Sequence, residues 1–378
     1  MCQPHRIGGL LWQRNFRLLW IGETISGTGN AMATVGMPLL AVTVLHASTF
    51  SVAALTAAAY LPWLIVGLPA GAWVDRLPCR PLMVSCDLVF VLLYASLPIA
   101  AWIGVLTIAQ ALIVALLAGG ANVLFATAYS VYLPSLVTAE ELVEGNAKLQ
   151  GSAAVAMIGG RSAAGLAAQA LGAATALLFN AASFVVSAAC LLSITATTPR
   201  GPAERVTTVR EEISEGARFV MGDPYLRPLT LYGALANLAY TGSTALVVVF
   251  LVRVVGLGPG ATGLLLGAAG IGGVLGALLV GRLARWLGTA RVLLLSALGT
   301  GLAGLLIPLT GTGLRAAYYI VGALVVAAGI AAGNIVTGSF RQAYCPPEML
   351  GRVTASMRFL VFGGIPLGAL LAGGLERH

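Results

Sequence analysis

The chain has 378 residues, of which 58% are hydrophobic and 9% are charged, and its formal net charge is +8. Soluble domains contain roughly a quarter of charged residues, so this chain has too few charges to cover a surface in water, and two soluble domains are excluded. The composition predicts an all-α polytopic membrane protein whose solvent is lipid. Nucleic acid is not an expected partner, because the basic residues are scattered in short loops without interleaved aromatic residues.

Eleven apolar segments are long enough to be membrane-spanning helices, since a hydrocarbon core of about 30 Å requires about 20 residues. In chain order they cover 16–44, 51–72, 82–102, 105–126, 147–170, 172–195, 229–253, 261–281, 290–310, 316–338 and 353–374. The N-terminus lacks a short apolar core followed by a small-residue cleavage site. We therefore expect the first segment to stay as a helix rather than to be removed as a signal peptide.

The basic residues divide unequally between the two faces that these segments define. Arg253, Arg315 and Arg377 lie on one face, and Arg161 lies inside a segment. The other seventeen share the opposite face: Arg6, Arg14, Arg17, Arg76, Arg80, Lys148, Arg200, Arg205, Arg210, Arg218, Arg227, Arg282, Arg285, Arg291, Arg341, Arg352 and Arg358. The positive-inside rule makes this richer face cytoplasmic. We expect a multi-pass protein of a bacterial inner (plasma) membrane with a cytoplasmic N-terminus.

Residues 196–228 form the one long polar stretch, and its five arginines are balanced by five acids. It starts as a Pro- and Gly-containing linker, and 209–224 then has the apolar periodicity of a short amphipathic helix, expected along the inner membrane surface. The chain is therefore predicted to comprise an N-terminal six-helix bundle at 1–195, this cytoplasmic linker, and a C-terminal bundle of five helices at 229–378.

Two loop sequences occur twice in the chain. The segment 71–80, which follows the second helix, has a degenerate copy at 281–291 after the eighth, and their first residues are 210 positions apart. A Tyr-x-Pro tripeptide at 132–134 recurs at 344–346, 212 positions later. Both copies lie on the same face at equivalent places, which indicates a duplicated unit related by an axis along the membrane normal.

The charged residues of the first repeated loop predict a gate. Asp75 can cap a helix N-terminus or pair with an arginine, and Arg76 and Arg80 can clamp across the inner mouth or hold the anionic leaflet. A simple excess of inward charge explains the arginines but not Asp75 or the spacing, so the clamp is favoured. The predicted gating residues are Gly71, Asp75, Arg76, Arg80, Gly281, Arg285 and Arg291.

The pattern Gly-x-x-x-Asp-Arg-x-x-x-Arg at 71–80 resembles the signature of the major facilitator superfamily. Other stretches resemble its drug-exporter branch, which includes macrolide-efflux and enterobactin-exporter-like proteins, over nearly the whole chain: NFRLLWIGETIS, DRLPCRPLM, NAASF, EGARFVMGDPYLRPL, RQAYCPPEMLGRVTAS and IPLGALLAGG. The resemblance implies a major-facilitator-type fold of two bundles that rock around a central site. It also implies proton-driven export of a hydrophobic compound such as an antibiotic, drug or siderophore.

The sequence departs from the pattern of that superfamily in three places. Its members have twelve helices, so with eleven predicted segments the twelfth is expected to be missing and the second bundle incomplete. The branch usually carries an acid near Asn30 and Asn180, and the amides found here argue against a direct proton-coupling role for these two residues. Exporters of this kind often have Gly-Pro in the fifth helix, where this chain has Gly160 and Arg161.

Two acids inside predicted helices are candidates for proton coupling, since charges within a bilayer are costly. Glu23 lies seven residues into the first predicted helix, about 10 Å from its inner end at 1.5 Å per residue. It is either a proton-binding carboxylate or a cavity-lining acid with a structural arginine partner. Asp87 lies near the cytoplasmic end of the third helix, where an interfacial cap or an ion pair with the Arg76 and Arg80 region is favoured over proton coupling.

Arg161 lies deeper within a predicted membrane segment than any other basic residue. It either binds an anionic group or an acid in the central cavity, or snorkels as a structural residue. The candidates for the substrate cavity are Asn30, Asn122, Gln150, Arg161, Asn237 and Asn334. Single amides of this kind are often interhelical hydrogen bonds worth about 0.6 kcal/mol.

Three glycine pairs have the small-xxx-small spacing that permits close helix contact: Gly263 with Gly267, Gly272 with Gly276, and Gly364 with Gly368. The sequence has no Walker loop, catalytic triad or zinc pattern, and its five cysteines form no close pair. We therefore expect neither an enzyme nor a bound cofactor or metal.

The predicted function is a secondary active transporter whose partners are a small-molecule substrate, protons and the lipid bilayer, acting as a monomer. Two alternatives stay open at this point. One is an importer of the same fold, and the other is a truncated membrane protein that transports nothing.

Overall fold

The structure, a computed structural model, describes residues 9–74, 77–138, 141–195 and 217–345, together with Val353, Ser356, Met357, Leu360, Val361 and Gly368. Over these residues the protein is helical and has no strand. The first half contains α1 (Arg14–Thr43), α2 (Thr49–Ile65), α3 (Gly67–Val74), α4 (Cys79–Trp102), α5 (Ile108–Leu136), α6 (Leu142–Leu171) and α7 (Ala173–Ser193). The second half contains α8 (Leu226–Val249), the π-helical turn Phe250–Val254, α9 (Pro259–Leu287), α10 (Thr289–Gly304) and α11 (Ala316–Tyr344).

Seven helical spans within the described ranges are long and apolar enough to cross a membrane: Cys79–Trp102, Ile108–Leu136, Ala173–Ser193, Leu226–Val254, Pro259–Leu287, Thr289–Leu309 and Gly313–Arg341. The helices α1 and α6 have 30 residues each but are more polar, and α2 is an apolar helix of 17 residues. These three pack lengthwise against the seven, because α1 lies along α7, α6 along α9, and α2 along α5. The all-α polytopic architecture predicted from the composition is confirmed.

The helices form two bundles that pack against each other. In the first, α1 packs on α6 and α7, and α4 packs on α5 and α7. In the second, α9 and α10 both pack on α11. The bundles touch where α6 lies against α9 and where α2 and α1 lie against α8. We call the end of the molecule at which α1 begins the near end, and the other the far end.

The inter-bundle contact between α6 and α9 depends on glycines. A Cβ placed on Gly165 would lie 2.6 Å from the Cα of Gly263, a distance that real side chains do not adopt, so both positions exclude larger residues. Gly267 packs in the same way on Ser162. These residues lie in the second half of α6 and the first half of α9, so the two bundles are joined toward the far end.

The glycine pairs of α9 make the close contacts that their spacing predicts. Gly263 and Gly267 face α6, whereas Gly272 and Gly276 lie against the backbone of Leu324 and Ala328 on α11. The spacing therefore predicted the close packing of these glycines correctly. It did not predict that the two pairs contact different helices.

Several predicted boundaries differ from those observed. The fourth predicted helix, 105–126, ends at Leu136 in α5, so Tyr132 and Pro134 lie in its last turns rather than in a loop. The second predicted helix is broken at Val66, between α2 and α3. The eleventh predicted helix, 353–374, lies mostly outside the described residues. Of the predicted linker, 196–216 also lies outside them, while 217–222 is helical.

The described end of the linker is attached to the second bundle. Val220 is fully buried in an apolar cluster with Leu226, Cys345, Val353 and Met357. Asp223 Oδ1 accepts hydrogen bonds from the backbone N–H groups of Tyr225 (2.9 Å) and Leu226 (2.8 Å) at the start of α8. The Tyr344 hydroxyl of α11 donates to Asp223 Oδ2 at 2.9 Å. One carboxylate thus connects the linker with the start of α8 and the end of α11.

We expect Asp223→Asn to lower the stability of the protein in a pH-dependent way. Burial raises the pKa of Asp223, but the donors on Leu226, Tyr225 and Tyr344 outweigh it and lower the pKa below its ordinary value of 3.8. A lowered folded-state pKa means that the ionised group stabilises the fold above the unfolded value, and that this contribution is lost as the pH falls through the folded one.

The thermal unfolding midpoint of the purified protein, measured from neutral to acidic pH, tests this expectation. The difference between wild type and Asp223→Asn should shrink as the pH falls below 3.8. Asn334→Ala, at an exposed position on α11, is the matched control and should behave as wild type at every pH. An equal difference at every pH would show that Asp223 acts only through its shape.

Candidate functional site

A pocket of about 200 Å³ opens inside the first bundle, between α1, α4, α5 and α7. Its lining comprises Glu23, Ser26, Gly27, Asn30, Phe90, Asn122, Phe125, Ala126, Tyr129 and Phe184. The sequence predicted Glu23 as a coupling residue and Asn30 and Asn122 as cavity residues, and the fold brings these three together. A cavity with apolar walls and a few convergent polar groups is the usual form of a small-molecule site.

The pocket is built from one face of α1 and one face of α5. On α1 the lining residues follow Glu23 at spacings of three, four and seven, and on α5 they follow Asn122 at the same spacings. These spacings place side chains on one side of a helix. Because α1 and α5 run in opposite directions, Glu23 lies level with Tyr129, with which it interacts electrostatically. Asn30 lies level with Asn122, nearer the far end.

Two fully buried polar side chains lie beside the pocket. The carboxylate of Asp87, on α4, faces the buried Ser187 hydroxyl of α7, and neither amide atom of Asn180, on α7, has a hydrogen-bond partner among the described residues. Asp87 interacts electrostatically with Glu23. Buried polar groups are costly unless they are fully hydrogen-bonded. Asp87 and Asn180 are therefore candidates for a functional role between α1, α4 and α7.

The ion pair expected between Asp87 and the Arg80 region is wrong for Arg80. Its guanidinium donates to the carbonyl oxygens of Leu191 (2.7 Å) and Leu192 at the end of α7. Helix ends leave carbonyl groups unpaired, and a cation there is favourable. Arg80 therefore fastens α4 to α7 within the first bundle in this state, and Asp87, one full turn and more inside α4, is left without it.

The other gating residues that the structure describes are spread over one end of the molecule. Gly71 lies in α3, Gly281 and Arg285 lie in the last turns of α9, and Arg291 lies in the first turn of α10. These are all near-end positions, as the repeat predicts. Asp75 and Arg76 lie outside the described residues. The clamp between these groups therefore stays a prediction.

The other amide candidates lie away from the pocket. Gln150 on α6 and Asn334 on α11 are exposed. Asn237 on α8 donates from Nδ2 to the carbonyl oxygen of Val361 at 3.1 Å, which makes it an interhelical hydrogen bond within the second bundle. Arg161, on α6, lies between the two bundles rather than in the pocket of the first.

We expect Asn237→Ala to cost little stability and to leave transport unchanged. Interhelical hydrogen bonds in membranes are worth about 0.6 kcal/mol on average, so the thermal midpoint should fall slightly. Asn334→Ala, at an exposed position on α11, is the matched control and should leave the midpoint unchanged. Loss of transport in Asn237→Ala at normal stability would contradict the structural assignment.

Sequence reasoning missed Tyr129, Ser26 and the buried position of Asp87. The first two had a detectable signal, because Ser26 follows Glu23 by three residues and Tyr129 follows Asn122 by seven, each on a face already marked by a polar residue. The burial of Asp87 had none, since it depends on how α4 and α7 pack.

The comparison with known families decides the kind of protein that carries this pocket. Residues 9–378 match the family described as transmembrane secretion effector, a family of the major facilitator superfamily. The chain belongs to this family. It is therefore a transporter of the major facilitator type and not an enzyme, as the resemblance of the loop at 71–80 implied.

Solved structures of transporters share the fold of this chain. The chain is 27% identical over 369 residues to the multidrug efflux pump Tap of Mycolicibacterium fortuitum, covering 95% of this chain and 88% of that protein. A mutant of the nucleoside transporter NupG superposes with a TM-score of 0.82 at 14% identity, covering 96% of this chain and 91% of that one. A bacterial homologue of the human lysosomal transporter Spinster, inward-facing and unoccupied, gives 0.72 at 16% identity, covering 96% and 82%. At such identities the two structures show the fold alone.

Proposed function

We propose that this transporter exports a hydrophobic small molecule in exchange for protons. The observation that carries the proposal is the pocket of the first bundle, in which the Glu23 carboxylate lies among the aromatic side chains of Phe90, Phe125 and Tyr129. An ionisable group inside the membrane is a functional residue by default. The name of the related multidrug efflux pump supports export.

Glu23 is the proposed proton carrier, and Asp87 is its second candidate. Glu23 lines the open pocket, so solvent protons and a substrate can both reach it. Asp87 is closed off behind it and interacts with it electrostatically. Two neighbouring acids in a medium of low dielectric constant resist being ionised together, so the charge on one depends on the charge on the other.

The near end of the molecule is proposed to face the cytoplasm of a bacterium. This orientation places Arg14, Arg17, Arg80, Lys148 and Arg285 inside, in agreement with the positive-inside rule. Because the contacts between Gly165 and Gly263 join the bundles toward the far end, the state described here is proposed to be open to the cytoplasm. In this state a substrate can enter from the cytoplasm.

Export then requires the bundles to separate at the far end and to close at the near end. The predicted gating residues are proposed as the gate of that second state: Gly71, Asp75, Arg76, Arg80, Gly281, Arg285 and Arg291. The Arg80 contact with the end of α7 would then be one of two alternatives for the same side chain. The division of the chain into one bundle at 1–195 and a second at 229–378 is also part of this proposal.

Accumulation of fluorescent compounds in bacteria tests the direction of transport. Cells that express the chain should accumulate less pyrenebutyrate or ethidium than cells with an empty vector, and a protonophore should abolish the difference. Greater accumulation in the expressing cells would overturn export and indicate an importer. Equal accumulation of a broad panel at verified membrane expression would contradict transport of this class of compound.

A further inference from the structure

Arg161 lies within α6, and the structure describes no carboxylate paired with it. The sequence explains why, because 224–347, which covers the second bundle from α8 to α11, contains no Asp or Glu. The membrane acids of the first bundle are Glu23 and Asp87, and both lie toward the near end.

The height of Arg161 separates it from Glu23. Gly160 packs on the backbone of α1 at Thr28 and Met32, so Arg161 is level with residues about eight positions beyond Glu23. At 1.5 Å per residue the two groups are about 12 Å apart along the bundle. The carboxylate of the pocket therefore does not neutralise this arginine.

The depth of Arg161 in α6 disfavours a snorkelling role. It lies ten residues before the far end of the helix at Leu171, which corresponds to about 15 Å. Snorkelling requires the charged head to reach the interface, and this position is far from the end of the helix.

Three tyrosines from three other helices lie near this cation. The guanidinium of Arg161 interacts electrostatically with Tyr60 of α2 and with Tyr319 of α11, and Tyr240 of α8 interacts with both of these phenols. Two of the four helices belong to the first bundle and two to the second. The cluster thus lies where the bundles meet.

The helix packing places these side chains at matching heights by a separate route. Gly272 and Gly276 of α9 pack on Leu324 and Ala328 of α11, a constant offset of 52 residues, which makes Tyr319 level with Gly267. Gly267 in turn packs on Ser162, the residue after Arg161.

The contact between α2 and α8 places the other two phenols level with each other. Ala53 and Ala57 of α2 pack on Ala245 of α8, and the two helices are antiparallel. One turn further toward the near end, this register brings Tyr60 opposite Tyr240.

Two of the three tyrosines are not enclosed by the protein. Tyr319 is buried, at 4% exposure, but Tyr60 and Tyr240 keep 41% and 38% of their surface open. A guanidinium offers a planar fork of donors that matches a carboxylate or similar oxyanion. Phenol hydroxyls add further donors, and the ring faces suit an aromatic or apolar body.

We propose that Arg161, Tyr60, Tyr240 and Tyr319 form the binding site for the anionic group of a hydrophobic substrate, which the two bundles grip together. The substrate class is an amphipathic organic anion or zwitterion with an aromatic body. This inference rests on the proposed transport function for its purpose, but the binding site itself does not depend on transport.

Equilibrium binding to the purified protein in nanodiscs tests the site. The probes are pyrenebutyrate, its uncharged methyl ester and the corresponding pyrenebutylamine, with empty nanodiscs as the blank. Wild type should prefer the carboxylate over the ester and the amine. Arg161→Gln should weaken carboxylate binding roughly tenfold or more, as expected for a lost hydrogen bond to a charged group, and should leave the ester unchanged.

Two further variants keep the test decisive. Arg161→Lys preserves the charge but not the planar fork of guanidinium donors, so carboxylate binding should fall to an intermediate level. This variant provides the test if Arg161→Gln does not fold. Tyr319→Phe should weaken the carboxylate several-fold relative to Tyr318→Phe, its exposed neighbour on α11. An unchanged preference for the carboxylate in Arg161→Gln, or in both Arg161→Lys and Tyr319→Phe, would overturn the proposal.

The same data separate the site from the transport function. Charge-selective binding that depends on Arg161, in a protein that moves no compound in the accumulation assay, would support the site and contradict the transport proposal. Export of ethidium that is unaffected by Arg161→Gln, with no preference of wild type for pyrenebutyrate, would overturn the site and leave export in place.

Discussion

Replacing Glu23 by Gln is expected to abolish proton-driven efflux and to leave the protein folded. Glutamine matches the size of the side chain and keeps its capacity for hydrogen bonds in the pocket, but it cannot take up and release a proton. Efflux driven by an imposed pH gradient should therefore fall to the rate of protein-free liposomes. The measurement is release of a hydrophobic dye, pyrenebutyrate or ethidium, from proteoliposomes.

Substrate exchange without a gradient distinguishes coupling from binding. In Glu23→Gln the exchange of internal for external substrate should continue, because the pocket and the movement of the bundles remain. Glu141→Gln, which changes an acid in the near-end loop, should behave as wild type in both assays. Normal gradient-driven efflux in Glu23→Gln would exclude Glu23 as the proton carrier and leave Asp87 as the candidate.

Substitution of Gly165 by Ala is expected to impair transport by separating the bundles at the far end. A Cβ at this position would lie 2.6 Å from the Cα of Gly263 on the facing helix, and backbone on both sides cannot yield without moving α9 away from α6. The closed far end should become less populated, since a change that acts on one state shifts the equilibrium between two states. Spin-label distances between far-end residues of α6 and α9 should lengthen.

Gly159→Ala on the same helix is the matched control. No atom lies within 4 Å of a Cβ at this position, and alanine favours a helix over glycine by about 1 kcal/mol, so stability should be equal or higher and transport normal. If Gly165→Ala and Gly159→Ala behaved alike, close contact between α6 and α9 would not be needed for the transport cycle.

Much of this architecture could be predicted from the composition and the loops. The apolar segments, the arginine asymmetry and the repeat at 71–80 and 281–291 indicated helices, orientation and duplication, because each depends on local sequence and on the bilayer. The pocket residues Glu23, Asn30 and Asn122 were identifiable for the same reason, since a polar residue in an apolar helix is conspicuous. The seven-residue spacing from Asn122 would also have identified Tyr129.

What the sequence could not provide is the relative position of helices that are distant in the chain. Whether Asp87 pairs with Arg80 depends on how α4 packs on α7. In the structure Arg80 donates to backbone carbonyl groups of α7 instead. The tyrosines near Arg161 could not be predicted from the sequence. Tyr60, Tyr240 and Tyr319 share no local motif and meet only through the packing of α2, α8 and α11. Contacts of this kind are set by packing between bundles.

The proton movement that accompanies substrate movement tests the central claim most directly. The purified protein is reconstituted in liposomes with an acidic interior that contains pyranine, and a hydrophobic compound, pyrenebutyrate or ethidium, is added outside. Exchange predicts that the compound enters, that protons leave, and that the interior pH rises faster than in protein-free liposomes, with no such rise in Glu23→Gln. Entry of the compound with an unchanged or falling interior pH would contradict proton exchange.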